Sequence, residues 1–252
     1  MRVVLFANNR LGASVAEELR ARGEEIVGLV LHPRERRKFG AEILAASGVR
    51  PGDELDASAL NQEEVRSALE ARGAEVGVSV MFGYMLRAPI RSLFPRECIN
   101  LHPAYLPWNR GAYPNVWSIV ERTPAGTTLH YVDDGVDTGD IIAQRRVEVA
   151  PHDTGETLYG KLEAASLELF RDTWPLFAEG RAGRTPQSGE GSFHRVRDVE
   201  AIDAIDPGRA YAAGELVDIL RARTFPPHAG AYLTAGSRRI HVRVELEEAE
   251  AK

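Results

Sequence analysis

Hydrophobic and polar positions along this chain change period in blocks. Arg2-Val3-Val4-Leu5-Phe6 is a β-branched-rich apolar run, suited to a strand buried on both faces. Residues 8–12, Asn-Asn-Arg-Leu-Gly, read as a turn. From 13 to 22 the period lengthens. Val15, Leu19 and neighbouring alanines share one side, and Glu17, Glu18, Arg20 and Arg22 the other, as on an amphipathic helix. Gly23 suits its C-terminal stop. Glu25 to Leu31 returns to an apolar strand pattern. Strand, helix and strand in this order predict a β-α-β unit with a right-handed crossover.

The alternation continues. A helix is expected over 62–72, a strand over 75–81, and a short strand from Cys98 that ends at His102-Pro103. A helix begins near Asn115. Strands follow over 127–132 and 141–149. A long helix then starts with Asp153 or Thr154 as N-cap. Its Leu158, Leu162, Leu169 and Phe170 recur at helical spacing as far as Phe177. Gly183, Pro186, Gly189 and Gly191 among polar residues mark a boundary. They predict a core over 1–185 and a small C-terminal subdomain over 186–252. That subdomain should hold a helix over 208–223 and an antiparallel pair around Gly236-Ser237. The charged run 245–252 is expected to fray.

Composition narrows the classes. A chain of 252 residues allows one large α/β domain with an appendage, and 44% hydrophobic residues is ordinary for a globular fold. A net charge of −6 disfavours a dedicated nucleic-acid binder. The single cysteine, Cys98, excludes an internal disulfide and a thiolate-rich metal site, and sits in an apolar run as a small core residue would. The opening residues are not a signal peptide and no apolar run has the length of a membrane span, so a cytoplasmic protein is expected. The turn at 8–12 is not the Gly-x-Gly-x-x-Gly fingerprint, so no nicotinamide cofactor is inferred. Amides at a helix start can hold an anion such as a pyrophosphate, or the turn can be purely structural. The charged run 33–38 reads first as a solvated loop or helix face, and second as a phosphate-facing segment.

The chemistry centres on Asn100-Leu101-His102-Pro103. Residues i and i+2 of a strand share a face, so Asn100 and His102 should project together where Pro103 ends the strand. An amide can donate to a developing oxyanion, and an imidazole can exchange a proton near neutral pH. Residues 81–86, Met-Phe-Gly-Tyr-Met-Leu, follow a strand at its carboxyl end, where open α/β sheets bind ligands. They could form a slot for a bicyclic ring, or Phe82, Met85 and Leu86 could simply pack under the loop. The loop 104–114 carries two prolines, a glycine and three large aromatics, Tyr105, Trp108 and Tyr113. Such aromatics stack on bases or sugars, and Arg110 can pair with phosphate. Trp117 reads as core. His130 alternates with Thr128 and Val132 and reads first as a structural histidine, second as a group supporting the site from behind.

Taken in order, Asn100-Leu101-His102-Pro103, Leu106-Pro107, Asn109-Arg110-Gly111 and His130-Tyr131-Val132-Asp133-Asp134-Gly135-Val136-Asp137-Thr138-Gly139-Asp140 resemble the formyltransferases that use 10-formyltetrahydrofolate. That family includes glycinamide ribonucleotide transformylase, methionyl-tRNA formyltransferase and the sugar N-formyltransferases. The resemblance implies an α/β, Rossmann-like fold: a mostly parallel sheet flanked by helices, with a small C-terminal α+β subdomain. It implies Asn100, His102 and Asp137 as the catalytic set. It places the folate against Phe82, Gly83, Tyr84, Met85, Leu86 and Asp133. Residues 109–118 and 224–232 look most like sugar N-formyltransferases. This implies a nucleotide-linked amino sugar as substrate, with Asn9, Arg10, Trp108, Asn109, Arg110, Tyr113 and Tyr232 at its site. A homodimer is implied, with no nucleic-acid or membrane partner. Other small amines, methionyl-tRNA, hydrolysis of the folate, or folate or nucleotide binding without catalysis are the alternatives.

Overall fold

Alternate residues of the first strand lie in opposite cores, and this shows how the sheet is built. In the computed structural model, which describes residues 1–249, Val3 and Leu5 of β1 (Arg2–Ala7) join one apolar cluster while Val4 and Phe6 join another. Both faces are therefore covered, as a parallel sheet requires. The chain continues through α1 (Asn9–Ala21), β2 (Glu25–Leu31), α2 (Gly40–Ser47), β3 (Leu55–Asp56), α3 (Glu63–Glu70), β4 (Val76–Val80), α4 (Ala88–Arg91) and β5 (Cys98–His102). Then come β6 (Arg110–Gly111), α5 (Pro114–Val120), β7 (Ala125–Tyr131), β8 (Ile141–Val147) and α6 (Gly155–Ala178). The seven-stranded sheet has the order β3-β2-β1-β4-β5-β7-β8. Strands β3 to β5 pair in parallel, and β7 runs antiparallel to β5.

The chain divides into two compact units. The first comprises residues 1–102, 128–145 and 166–188. Its first core sets Leu11, Val15 and Leu19 of α1 and Leu169, Phe170, Trp174 and Phe177 of α6 against the sheet. Its second sets Val65, Leu69, Ile90 and Phe94 against the other face. Each such side chain, fully buried, contributes about 1.5–3 kcal/mol. The second unit comprises 103–127, 146–165 and the chain from 189. It adds β9 (Phe193–His194), α7 (Glu200–Asp203), β10 (Ala204–Ile205), α8 (Ala213–Ala222), β11 (Tyr232–Ala235) and β12 (Arg238–His241). Val116, Trp117, Ile119, Leu158 and Leu162 form its core, and Trp117 stacks on His194 at 4.0 Å. The tail expected after residue 186 is thus grouped with two earlier segments.

Two local expectations change. The turn expected at 8–12 is largely the first turn of α1. Gly12 lies within that helix, where a Cβ would come 2.9 Å from the Cβ of Ala7, so this glycine serves close helix–strand packing. The helix expected from 208 begins at Ala213. Before it, Asp206 turns the chain by accepting the Gly208 N–H at 2.8 Å, an Asx turn that competes with helix. The last residues of the charged run, 250–252, lie outside the described residues.

Candidate active site

The antiparallel register of β5 and β7 sets Asn100 directly opposite His130 and His102 opposite Thr128. The His130 Nδ1 lies 2.8 Å from its neighbour's carbonyl, Tyr131 O, and donates to it. A neutral ring then has Nε2 as acceptor. The Asn100 amide Nδ2 stands 3.1 Å from that Nε2 and 3.3 Å from Asp137 Oδ1. The other carboxylate oxygen, Oδ2, is 3.7 Å from His102 Nε2. The two imidazole rings lie edge to face, centroids 6.5 Å apart. His102 is buried and the Asp137 side chain is 14% exposed, so the carboxylate faces the imidazole in a medium less screening than water. One carboxylate, one amide and two imidazoles therefore meet at the carboxyl end of β5.

Asp137 comes from the loop between β7 and β8, and the loop's shape is over-determined. Asp137 itself has φ 53°, in the left-handed region. Asp133 Oδ1 accepts from Gly135 N at 3.0 Å and Thr138 Oγ1 at 2.7 Å. A Cβ on Gly139 would stand 1.8 Å from Tyr131 O, so only glycine passes there. Gln187 Nε2 donates to Asp137 O and Gly139 O, both at 2.8 Å. Asp133, expected at the cofactor, is half-buried and commits one carboxylate oxygen, Oδ1, to folding its own loop.

Residues 1–173 match the formyl transferase family, and residues 198–248 match the N-formyltransferase dimerization C-terminal domain. The chain belongs to the formyl transferase family. It is 32% identical over 152 residues to the dTDP-4-amino-4,6-dideoxyglucose formyltransferase of Mycobacterium tuberculosis, covering 60% of this chain and 65% of that protein. The formyltransferase PseJ of Anoxybacillus kamchatkensis is 31% identical, with a TM-score of 0.58 over 80% of this chain and 89% of that one. A 4-N formyltransferase of Francisella tularensis shares the fold, with a TM-score of 0.84, 24% identity and 98% of each chain covered.

In this member of the family the turn after β4 carries two left-handed residues, Met81 (φ 53°) and Gly83 (φ 69°). They leave Gly83 and Met85 exposed and Tyr84 half-buried. Phe82 and Leu86 were expected at the cofactor through this turn, but their side chains are 2% and 3% exposed within the second core cluster. Phe82 packs edge-on against Phe6 at 5.4 Å. What the turn offers a ligand is its backbone with Tyr84 and Met85, which fits a flat ring recognised through main-chain groups.

The expected substrate residues divide between the units. Asn9 and Arg10 open α1 in the first unit, with Arg10 exposed. Trp108, Asn109, Arg110, Tyr113 and Tyr232 belong to the second. Asn109 is completely buried, and its Nδ2 donates to Ser118 Oγ at 2.9 Å and Thr123 Oγ1 at 2.8 Å. It braces the loop from within, so the expectation that it touches substrate is corrected. Tyr113 is exposed at the start of α5, Trp108 is half-buried, and Arg110 lies on β6. Tyr232 lies under the Arg239 guanidinium at 4.4 Å.

Sequence reasoning took His130 first as a structural histidine and only second as a group supporting the site, and it missed Gln187. Alternation with Thr128 and Val132 put His130 on a strand face, but its place opposite Asn100 is legible only once β7 is known to run antiparallel to β5. Gln187 sits in a Gly- and Pro-rich stretch with no periodic signal.

Proposed function

We propose that this chain transfers a formyl group from 10-formyltetrahydrofolate to the amine of a nucleotide-linked amino sugar. The observation that carries the reading is the cluster of Asn100, His102 and Asp137 at the end of β5. Binding alone does not require it. The substrate class draws support from the mycobacterial relative, named for a dTDP-linked amino sugar, and from PseJ, whose structure holds UDP-4,6-dideoxy-4-formamido-L-AltNAc and tetrahydrofolate.

In the reaction, the sugar nitrogen bonds to the formyl carbon and the bond from that carbon to the folate nitrogen breaks. One proton leaves the attacking nitrogen and one reaches the departing nitrogen. Asn100 donates an amide N–H to the oxyanion that develops on the formyl oxygen. His102 carries the proton. Asp137 orients the imidazole. Residues 83–86 hold the pterin, mainly through the backbone. In the first unit Arg10, with Asn9 next to it in the chain, is a candidate for the pyrophosphate; in the second unit Arg110 is a candidate for phosphate, and Trp108, Tyr113 and Tyr232 for stacking on base or sugar. The chain works as a homodimer through residues 198–248, in the cytoplasm, without nucleic-acid or membrane partners. Among the described residues no helix is long and apolar enough to cross a membrane.

The test is incubation with 10-formyltetrahydrofolate and a panel of dTDP- and UDP-linked amino sugars, with a no-amine control. Formylation of one sugar, read by mass, is the expected result. Folate release without amine would replace the reading with a hydrolase. Formylation of methionyl-tRNA with no sugar modified would overturn the substrate class.

A further inference from the structure

Three strand ends meet beside the turn that follows β4. Asn8 leaves β1, His32 leaves β2, and Phe82 lies one residue beyond Met81 after β4. These strands are neighbours in the sheet. His32 Nε2 is hydrogen-bonded to the Phe82 carbonyl. Its Nδ1 lies 3.3 Å from Asn8 Nδ2. The Asn8 amide has its orientation fixed elsewhere, because Asn8 Oδ1 accepts the Lys38 N–H at 2.8 Å. The Asn8 backbone is tied down as well, its N–H donating to Val80 O at 3.2 Å. Asn8 thus turns its NH2 group toward His32. Nδ1 must be the acceptor and Nε2 must carry the hydrogen, a neutral imidazole with both nitrogens used. The ring also stands edge-on to Phe82 at 5.6 Å and Tyr84 at 5.1 Å, and Gly83 lies over it.

We propose that His32 is a positioning residue for the formyl-donor site: its ring fixes the Phe82–Gly83 peptide and the turn 82–86, and affinity for the folate falls when His32 gains a proton. The inference rests on the folate reading of that turn. A peptide is planar, so holding the Phe82 carbonyl also aims the Gly83 N–H, a backbone group this exposed turn presents to a ligand. Protonation places a hydrogen on Nδ1, facing the Asn8 NH2, so two donors oppose each other. Rotating the amide would set the same conflict against the Lys38 N–H. One hydrogen bond is lost either way. Burial holds the His32 imidazole below its ordinary value of 6.5, against its bond to Phe82 O, with Arg36 and Arg37 also disfavouring charge and Asp56 favouring it. Lys38, whose backbone fixes Asn8, and Tyr84, against the ring, are the other ionisable residues around it. The sign follows: the neutral, bonded form prevails at and above the ordinary value of 6.5 and is lost as pH falls through the lowered one.

The experiment measures tetrahydrofolate Kd and the KM for formyl donor and sugar from about pH 8 to about pH 5.5 in wild type, His32→Gln and His32→Ala. The expected result for His32→Ala is a rise of about tenfold in folate Kd and donor KM, the worth of one hydrogen bond. The sugar KM should stay within about twofold. His32→Gln retains an amide N–H that can reach Phe82 O and does not titrate. It should keep most of the affinity and flatten the acid loss seen in wild type. Wild-type folate affinity in His32→Ala would overturn the inference, and so would equal losses in both KM values, which mark a merely structural role. Should His32→Ala not fold, identical pH dependence in wild type and His32→Gln would overturn it. Wild type that binds no folate at any pH would remove the folate reading itself and this inference with it.

Discussion

The Nε2 of His102 stands 3.7 Å from Oδ2 of Asp137, too far for a hydrogen bond and within the range of an ion pair. Closure by about 0.8 Å makes it a bond, and catalytic contacts commonly tighten in this way around substrate. The same carboxylate faces Asn100 through its other oxygen at 3.3 Å. Asp137 therefore touches both groups assigned to the transition state. His102→Asn and Asp137→Asn should each lower kcat by about 10²–10⁴-fold. Tetrahydrofolate affinity, measured by titration calorimetry, should hardly move. Turnover near wild type in either variant would remove the assignment.

Gln187 acts on the same loop from behind, through two carbonyls on either side of Thr138. Its loss frees a carboxylate whose backbone sits in a left-handed conformation. Gln187→Ala should lower kcat about tenfold while folate binding stays intact. Gln187→Glu should not rescue, because it offers no amide hydrogen to the two carbonyls. An unchanged kcat in the alanine variant would show that the loop holds itself.

Two glycines give a matched pair. A Cβ on Gly139 meets Tyr131 O at 1.8 Å, whereas one on Gly160, in α6, meets nothing within 4 Å. Gly139→Ala should cost about 1–3 kcal/mol and most of the activity. Gly160→Ala should add about 0.5–1 kcal/mol, or about 1–4 °C in Tm, through helix propensity. Calorimetry reads both, and a Gly139→Ala protein as stable and active as wild type would contradict the packing described.

Burial pushes the Cys98 thiol up to about 12, and the residue is 1% exposed. The thiolate is the reactive species, so native protein should resist iodoacetamide at about pH 8 and react fully when unfolded. Mass spectrometry of labelled protein decides. Rapid labelling of the native chain would mean that β5 opens readily.

The strands were the most legible part of the chain. Val3-Val4-Leu5-Phe6 and the run Glu25–Leu31 announce themselves because a strand covered on both faces must be apolar throughout. Helix starts were less legible. Asn8-Asn9 and Gly12 look like a turn from composition, and only the contact with Ala7 shows that this glycine was needed inside a helix. The Asn109 of the aromatic loop looked like a ligand group because its burial cannot be read from a local pattern.

The sequence by itself determined the alternation of the core elements and the shared face of Asn100 and His102, which are consequences of local period, and period is written in the order of residues. Asp137 entered as a candidate through the resemblance of its motif to the formyltransferases, not through any period. Only the tertiary structure decided that His130 anchors the Asn100 amide, that Gln187 clamps the Asp137 loop, and that His32 is tied to Phe82. Each joins residues 30 to 50 positions apart. Such pairs depend on strand direction and register, which are set by how two faces of a sheet are covered and leave no mark on the neighbours of either residue.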